Sequence, residues 1–341
     1  MIGYDNKTDG IYTLDVPSCY MCGSRGIPLY TAMTDRLFGA PGFWTLKRCP
    51  DPSCGLVWMD PMPTKSEVWK AYRTYYTHRM GENMGGHSND RLSRLILKII
   101  KPIFKIYMAA SGLRKLEKSW RYQREYAYLQ DPLPEGRLLD VGCGNGDMLD
   151  RLRRQGWYVE GTDVDPEAVI NAHDKHGLTV HQGLLEELQF PTGSFDAVTL
   201  SHVIEHVHNP CELLGECLRV LKHHGRLVLI TPNIDGLGHQ KFGKSWLPLD
   251  PPRHLHLFTE NTLRKCATRS GFQSIETRST AAHAQGVFER SIEIEDCMNG
   301  FKRRKWLLRT KIAILKVREY RKILKGEGVG EEIVLTGRKK I

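Results

Sequence analysis

Residues 138–146 carry the clearest chemistry in the sequence, because an apolar run ends in Asp140 and three glycines follow within six positions. The pattern predicts a strand, a tight loop and then a helix with Met148, Leu149 and Leu152 on one face. Glycines at such a corner let backbone approach a ligand where a Cβ would collide, and the helix N-terminus faces the same point. Asp140 would repel a pyrophosphate and attract a positively charged ligand. The segment therefore predicts a binding site for a cationic nucleoside rather than for a dinucleotide.

A second predicted strand ends in Asp163, where a carboxylate can accept hydrogen bonds from both hydroxyls of a ribose. The alternative for Asp163 is a plain turn acid. Asp165 is interpreted as a helix cap before Pro166. A nucleoside that carries both an ammonium and a sulfonium is S-adenosylmethionine, and this cofactor fits Asp140 and Asp163 together.

Two cysteine pairs near the N-terminus have the spacing of a metal site, with two residues inside the first pair and four inside the second. Their members are Cys19, Cys22, Cys49 and Cys54. Four thiolates suit a tetrahedral Zn²⁺, and a closed four-sulfur site leaves no position for a reacting water. Gly23 and Gly55 each follow a pair, as tight metal-binding turns often require. We predict a structural zinc; the alternative is four unliganded cysteines.

The elements that must position these groups alternate from residue 134 onwards as strand, loop and helix. This alternation predicts an α/β fold with a Rossmann-like, parallel, seven-stranded sheet covered by helices on both faces. Strands are predicted over 137–141, 158–162, 179–182, 195–201, 226–231, 272–279 and 332–337, and helices over about 147–155, 166–176, 210–221 and 260–270. The predicted domains are a zinc-ribbon module (1–63), a helical linker (64–130), the main α/β domain (131–282 and 329–341) and a basic helical insertion (283–328).

Length and composition are those of a globular protein, with 341 residues, 40% hydrophobic and 26% charged. No apolar run reaches the ~18 residues of a membrane span, and residues 1–10 lack a signal-peptide core. Nine cysteines, an odd number, favour a reducing compartment over a disulfide framework. The chain is expected to be cytoplasmic.

The formal charge of +10 is unevenly distributed. Residues 301–325 hold eleven basic side chains and one acid, residues 91–118 hold eight and one, and the rest of the chain is net negative. Nucleic acid is therefore an improbable partner. Both basic segments are amphipathic and resemble interfacial helices, so one hypothesis is peripheral docking at the cytoplasmic face of an anionic membrane. The alternative is that their apolar faces pack against the protein. These apolar side chains are Leu92, Leu95, Ile96, Ile99, Ile100, Ile103, Phe104, Tyr107, Trp306, Leu307, Leu308, Ile312 and Leu315.

Further motifs carry a family resemblance: residues 194–198 (Ser-Phe-Asp-Ala-Val), 202–207 (His-Val-Ile-Glu-His-Val), 221–225 (Leu-Lys-His-His-Gly) and 252–258 (Pro-Arg-His-Leu-His-Leu-Phe). Together with the cysteine pairs and the glycine loop, they resemble a class I S-adenosylmethionine-dependent methyltransferase. More narrowly, they resemble the bacterial branch with an N-terminal zinc ribbon, many members of which act in sugar and surface-polysaccharide pathways. The resemblance spans most of residues 19–60 and 134–280.

The expected cofactor-binding residues follow the strand ends and the glycine loop. They are Asp140, Gly142, Cys143, Gly144, Gly146, Asp163, Val164, Leu184, Leu185 and Ser201. The resemblance places an aspartate near the adenine where this chain has Leu184, so packing and the backbone amide of Leu185 are expected to hold the adenine instead.

His206 is the candidate general base, because it follows the fourth strand of the main domain at the ligand crevice. Glu205 or His202 is expected to orient it; a helix cap or core packing is the alternative for these histidines. The resemblance implies that a loop with Trp246 closes the substrate pocket. Two further groups are candidates for substrate contact or for plain packing: His254 and His256, and Tyr72, Tyr75 and Tyr76.

The sequence thus predicts methyl transfer from S-adenosylmethionine to a hydroxyl or carbon of a sugar-like small molecule, nucleotide- or lipid-linked. Two alternatives stay open at this point. One is an RNA methyltransferase, because a zinc module also accompanies this fold there. The other is a non-catalytic binding module, which the departure at Leu184 slightly favours.

Overall fold

The computed structural model describes residues 7–8, 10–72, 98, 102, 104, 106–125, 127–129, 135–301 and 303–340. Its strands are β1 (Lys7–Thr8), β2 (Ile11–Leu14), β3 (Ile27–Met33), β4 (Trp44–Arg48), β5 (Val57–Met59), β6 (Met62–Pro63), β7 (Arg137–Val141), β8 (Tyr158–Asp163), β9 (Val180–Gln182), β10 (Phe195–Ser201), β11 (Leu221–Pro232), β12 (His256–Leu257), β13 (Gln273–Thr280) and β14 (Glu332–Arg338).

The α-helices within those residues are α1 (Leu113–Glu125), α2 (Asp147–Arg154), α3 (Pro166–His176), α4 (Pro210–Val220), α5 (Leu237–Phe242), α6 (Glu260–Arg269), α7 (Ala284–Met298) and α8 (Lys305–Leu324). Short 3₁₀ helices lie at Val68–Tyr72, Ile204–His206, Gly243–Ser245 and Leu247–Leu249. Two of the substrate-contact candidates, Tyr75 and Tyr76, lie outside the described residues. So does most of 91–105, the first part of the basic segment 91–118.

The main sheet has seven strands in the order β9-β8-β7-β10-β11-β14-β13. Its strands are parallel except β14, which runs antiparallel to both β11 and β13. The predicted α/β, Rossmann-like, seven-stranded fold is confirmed, with one antiparallel strand where the sequence pattern predicted a wholly parallel sheet. The ends of β7 and β8 lie side by side in the sheet, so the loops that follow them open at one edge.

Local sequence explains how the helices beside this edge begin. Asp165 accepts a hydrogen bond from the backbone N–H of Glu167, and Pro166 occupies the first turn of α3, as predicted from the Asp-Pro pair. The helix α2 starts directly after Gly146, whose φ of 78° is in the left-handed region that favours glycine. The glycine loop and both helix N-termini therefore face the ends of β7 and β8.

The N-terminal cysteine-bearing segment shares a sheet with the main domain. Strands β3, β4 and β5 continue into β12, which comes from the loop before α6. Cys19, Cys49 and Cys54 are buried in the same apolar cluster as Phe258 and Leu263. The predicted boundary at residue 63 is thus crossed by backbone pairing and by core packing.

The insertion between β13 and β14 is helical, as predicted, and consists of α7 and α8. Ile312 and Leu315 of α8 are buried, and Tyr320 packs edge-on against Trp120 of α1 with ring centroids 5.0 Å apart. Leu307 is 41% exposed. Much of the apolar face of α8 therefore packs on the protein, which is the alternative to membrane docking. No helix within the described residues has the length and apolar character of a membrane span.

Candidate active site

A cavity of about 1170 Å³ opens at the carboxyl ends of β7, β8, β10 and β11. It exceeds the ~300–1,000 Å³ of an ordinary small-molecule pocket, so it has room for two ligands side by side. Three segments close it: residues 68–72, residues 247–254 and the first half of α7. The position matches the crevice in which open α/β sheets bind ligands.

Five predicted cofactor-binding residues line this cavity: Gly142, Asp163, Val164, Leu184 and Leu185. The carboxylate of Asp163 accepts hydrogen bonds from the backbone N–H of Gly144 at 2.8 Å and of Asp165 at 2.9 Å. Burial raises the pKa of Asp163 above its usual value. The glycine loop is thus braced against the end of β8, and Asp163 reaches the cavity wall.

The other five predicted cofactor-binding residues are absent from the cavity wall: Asp140, Cys143, Gly144, Gly146 and Ser201. Asp140 is 4% exposed and accepts a hydrogen bond of 2.6 Å from the hydroxyl of Thr199. Burial raises the pKa of Asp140 to about 7, against the effect of that hydrogen bond. The hydrogen bond between Thr199 and Asp140 joins β10 to β7. A contact between Asp140 and a ligand stays a prediction.

Gly142 occupies a backbone position that another residue would strain, and this supports a testable prediction. Its φ is 68°, and a Cβ built on it would overlap the Cγ2 methyl of Val203. We expect Gly142→Ala to lower the free energy of unfolding by ~1–2 kcal/mol or more, measured by urea denaturation. Adding Val203→Ala should recover the part due to the overlap but not the part due to φ. An unchanged midpoint in Gly142→Ala would contradict this account of the loop.

His206 lines the cavity and is held through Nδ1. That atom lies 2.8 Å from the hydroxyl of Tyr72 and 3.1 Å from the carbonyl oxygen of Arg253. A carbonyl only accepts, so it favours the tautomer with the proton on Nδ1 and a lone pair on Nε2. Burial and, after it, the nearby His254 lower the pKa of His206 to about 4. The ring is therefore neutral at physiological pH and able to take a proton.

The buried Glu205 and the half-buried His202 form a separate pair beside His206. The carboxylate of Glu205 lies 3.2 Å from His202 Nδ1 and accepts a 2.9 Å hydrogen bond from Thr231. His202 Nε2 lies 3.0 Å from Glu332, and despite burial the two carboxylates raise the pKa of His202 to about 9. Burial alone would raise the pKa of Glu205, but His202 outweighs it and lowers that pKa to about 2. Glu205 and His202 are therefore both ionised. The hydrogen-bond partners found for His206 are Tyr72 and Arg253, rather than the predicted Glu205 or His202.

A family model for a methyltransferase domain matches residues 113–277. This part of the chain, just under half of it, is similar to methyltransferase domains. The matched segment runs from α1 into β13, and it contains the glycine loop, Asp163 and His206.

Curated relatives match a smaller share of the chain than the family model does. The "Ubiquinone biosynthesis O-methyltransferase" of Xanthomonas oryzae pv. oryzae is 37% identical over 116 residues, which are 32% of this chain and 48% of that protein. The protein of the same name from Xylella fastidiosa is 34% identical over 116 residues, 32% of this chain and 47% of that protein. The chain thus spans about half the length of these relatives. A solved SAM-dependent methyltransferase from Archaeoglobus fulgidus is 18% identical, covers 65% of this chain and 94% of its own, and has a TM-score of 0.44.

The two histidines of the 252–258 motif lie in different surroundings. His254 lines the cavity, its Nδ1 is 2.6 Å from the carbonyl oxygen of Pro248, and its ring stands edge-on to His206 with centroids 4.6 Å apart. His256 is 2% exposed within β12 and is absent from the cavity wall. Of these two substrate-contact candidates, His254 alone faces the cavity.

The four cysteines predicted to bind zinc come together at the N-terminal end of the chain. Their sulfurs all lie within 4.8 Å of one another, with Cys19 Sγ 3.6 Å from Cys54 Sγ and Cys22 Sγ 3.4 Å from Cys49 Sγ. Zinc–sulfur bonds of ~2.3 Å in a tetrahedron place sulfurs ~3.8 Å apart, so a modest adjustment accommodates the ion. The four thiolates fit Zn²⁺. They would fill its tetrahedral coordination and leave no position for a reacting water.

Several groups at the site were not assigned by the sequence interpretation. Tyr72 was predicted as a lid or packing residue, and its hydrogen bond to His206 joins residues 134 apart. Arg253 belongs to the 252–258 motif, in which the sequence predicts contact roles only for the histidines. Glu332 was predicted as part of a strand, and it reaches His202 from 130 residues away. A motif can point to Arg253, but the sequence carries no local signal for Glu332.

Proposed function

We propose that this protein transfers a methyl group from S-adenosylmethionine to a hydroxyl of a sugar-like small molecule. The observation that carries the proposal is one cavity whose wall holds two chemically different groups. One is the carboxylate of Asp163 with Gly142 of the glycine loop, and the other is His206, a neutral histidine held by its Nδ1. A methyl donor and an acceptor alcohol need these two environments next to each other.

The residues around Asp163 on the cavity wall fit the cofactor. A carboxylate at the end of the second strand of the main domain is placed to accept the ribose hydroxyls, and Asp163 occupies that position on the cavity wall. Gly142 permits close approach of the chain. Leu184 is 39% exposed and lines the same wall with Leu185, so apolar contact is available to the adenine. When bound, S-adenosylmethionine supplies a methyl group already activated by the sulfonium.

His206 acts as the general base in this proposal. Its Nε2 takes the proton of the acceptor hydroxyl as the oxygen forms its bond to the methyl carbon and the carbon–sulfur bond breaks. Tyr72 and the carbonyl of Arg253 hold the ring through Nδ1, so the lone pair keeps its direction. The walls formed by residues 68–72, 247–254 and α7 exclude water and align the two reactants, which contributes to rate through orientation.

The acceptor class is inferred from sequence motifs, from the named relatives and from the residues of the cavity wall. The sugar-like acceptor follows from the resemblance in the zinc-ribbon and 252–258 motifs. The named relatives are O-methyltransferases of ubiquinone biosynthesis, which favours oxygen over carbon as the methylated atom. Lys65 and Arg290 line the same cavity, so an acceptor bearing a phosphate or carboxylate finds cations there. Membrane docking is left out because Ile312 and Leu315 are buried.

Binding of the cofactor is the first test. Calorimetry should give heat when S-adenosylmethionine is added to the wild-type protein, and Asp163→Asn should weaken the affinity at least tenfold, since a charge-assisted contact to the ribose is lost. Asp174→Asn, an exposed carboxylate on the neighbouring helix α3, is the matched control and should bind as the wild type does. Absence of heat from the wild type would remove the enzymatic proposal.

The acceptor itself is then found by transfer of a deuterated methyl group. Candidate acceptors of two kinds, sugars linked to nucleotides or lipids and phenolic quinone precursors, are incubated with labelled S-adenosylmethionine and analysed by mass spectrometry. Label on a sugar hydroxyl supports the proposal. Label on a phenol, or on carbon, would correct the acceptor class while leaving the methyltransferase assignment in place.

A further inference from the structure

A buried ion-pair network links the N-terminal segment to the candidate base. The side chain of Arg253 is fully buried, and its guanidinium lies between two carboxylates. Asp35, from the loop after β3, is 2.7 Å away, and Asp250 is 2.5 Å away. The same guanidinium donates a 3.0 Å hydrogen bond to the carbonyl of Ala71 and stacks over the ring of Phe38 at 4.7 Å. Arg253 therefore joins three separate stretches of the chain at one point.

The carboxylate of Asp35 is fixed by its own turn. It accepts hydrogen bonds from the backbone N–H groups of Leu37 and Phe38, each 3.0 Å, and of Ala40, 2.9 Å. Burial alone would raise the pKa of Asp35, but Arg253 and these N–H groups outweigh it and lower that pKa. Asp35 is thus an ionised, rigidly placed anchor that the cysteine-bearing segment presents to Arg253.

Both groups that hold His206 depend on Arg253. The carbonyl oxygen of Arg253 itself faces His206 Nδ1 at 3.1 Å. The carbonyl of Ala71 is held by the guanidinium, and the next residue is Tyr72, whose hydroxyl lies 2.8 Å from the same Nδ1. A displacement of the guanidinium would therefore move both partners of the imidazole together.

We propose that Asp35 is a positioning residue that sets the orientation and proton affinity of His206 through Arg253. The cysteine-bearing segment then forms part of the frame of the active site, although it contributes no group to the cavity chemistry. This inference rests on the proposed role of His206 as the base. Breaking a buried pair of this kind leaves an uncompensated charge, which moves its surroundings as well as destabilising them.

The matched comparison is between two buried carboxylates of the N-terminal segment. Asp35→Asn removes the anchor of Arg253. Asp60→Asn removes the ion pair with Lys47, which lies in the same segment and does not touch Arg253. Both variants should melt at a lower temperature than the wild type. We expect Asp35→Asn alone to lower kcat at least tenfold with the affinity for S-adenosylmethionine unchanged, and to move the acid limb of the pH–rate profile.

A second readout does not depend on activity. Nitrogen-15 NMR of the histidine rings reports the tautomer and pKa of His206 in each variant, and Asp35→Asn should change both while Asp60→Asn changes neither. Asp35→Glu keeps the charge one methylene further out, so it should fold and show the same changes with smaller amplitude. If the wild type proved inactive while the His206 signals still moved, the positioning role would stand and the proposed function would fall. Unmoved signals in Asp35→Asn or Asp35→Glu, with kcat retained, would overturn the inference.

Discussion

Replacing His206 with asparagine is expected to lower kcat by ~10²–10⁴-fold, the range that general base catalysis contributes. Asparagine keeps a hydrogen-bonding group near Tyr72 and Arg253 but has no lone pair able to take a proton. His206 is half-buried and neutral, and its Nδ1 already contacts Tyr72 and the carbonyl of Arg253. Nε2 is therefore the ring nitrogen that can accept the proton. Single-turnover measurement of methyl transfer isolates this step from product release.

The comparison protein for this experiment is His173→Asn. His173 lies on α3 with a side chain 75% exposed, so it tests the same chemical change away from the cavity. Affinity for S-adenosylmethionine, measured by calorimetry, should be the same in the wild type and both variants. A His206→Asn protein with wild-type kcat would show that another group removes the proton.

If His206 is the base, the rate of methyl transfer should depend on pH in a defined way. A base works in its neutral form, and burial together with His254 lowers the pKa of His206 to about 4. The rate should therefore rise as pH increases through about 4 and stay level above it, without a limb near the ordinary histidine value of ~6.5. His254→Gln removes one source of repulsion, so the acid limb of that variant should move to higher pH. A limb near neutrality in the wild type would contradict the assignment.

Local pattern was sufficient for most of the sheet. The bounds of β7 and β10 agree with the prediction because apolar runs there end at an acid or a polar residue that marks the carboxyl end. β11 begins at Leu221 rather than at residue 226, and its polar start is set by remote pairing. The N–H of His224 donates to the carbonyl of Lys339, and the N–H of Lys339 donates to Gly225. This extension of β11 depends on residues near the end of the chain, so the sequence around residue 221 alone does not predict it.

The same distinction separates the predicted from the missed parts of the site. The cluster of four cysteines could be predicted from the sequence, because each of the two closely spaced pairs is a local turn. The partners of His206 have no such signal: the carbonyl of Arg253 is a backbone group, and backbone groups have no identity in a sequence. The antiparallel β14 also brings Glu332 to His202 through the sheet order alone. The sequence points to His206 as the candidate base, and the tertiary structure determines which groups hold its ring.

Loss of the metal should have the largest effect on stability, if zinc occupies the four-cysteine site as we propose. Structural zinc binds with ~10–16 kcal/mol in small zinc domains, which is comparable to the whole stability of ~5–15 kcal/mol of a folded protein. Cys19, Cys49 and Cys54 are buried in the cluster that contains Phe258 and Leu263, so loss of the metal should also disturb the main α/β domain. We expect Cys54→Ser to lower the melting temperature by more than ~10 °C, since each kcal/mol moves the midpoint by a few degrees.

Metal content decides between this account and four unliganded thiols. Atomic emission should find one zinc per wild-type chain and a strongly reduced amount in Cys54→Ser, and a chelator should lower the melting temperature of the wild type toward that of the variant. Cys297→Ser changes an exposed cysteine remote from the cluster and should alter neither quantity. A wild-type protein free of metal that melts at the same temperature with and without chelator would establish the unliganded alternative. Strand β12 belongs to the same sheet as β5, β4 and β3, and it begins two residues after His254, which lies beside the candidate base His206. If zinc is present, we therefore expect its removal to lower methyl transfer as well.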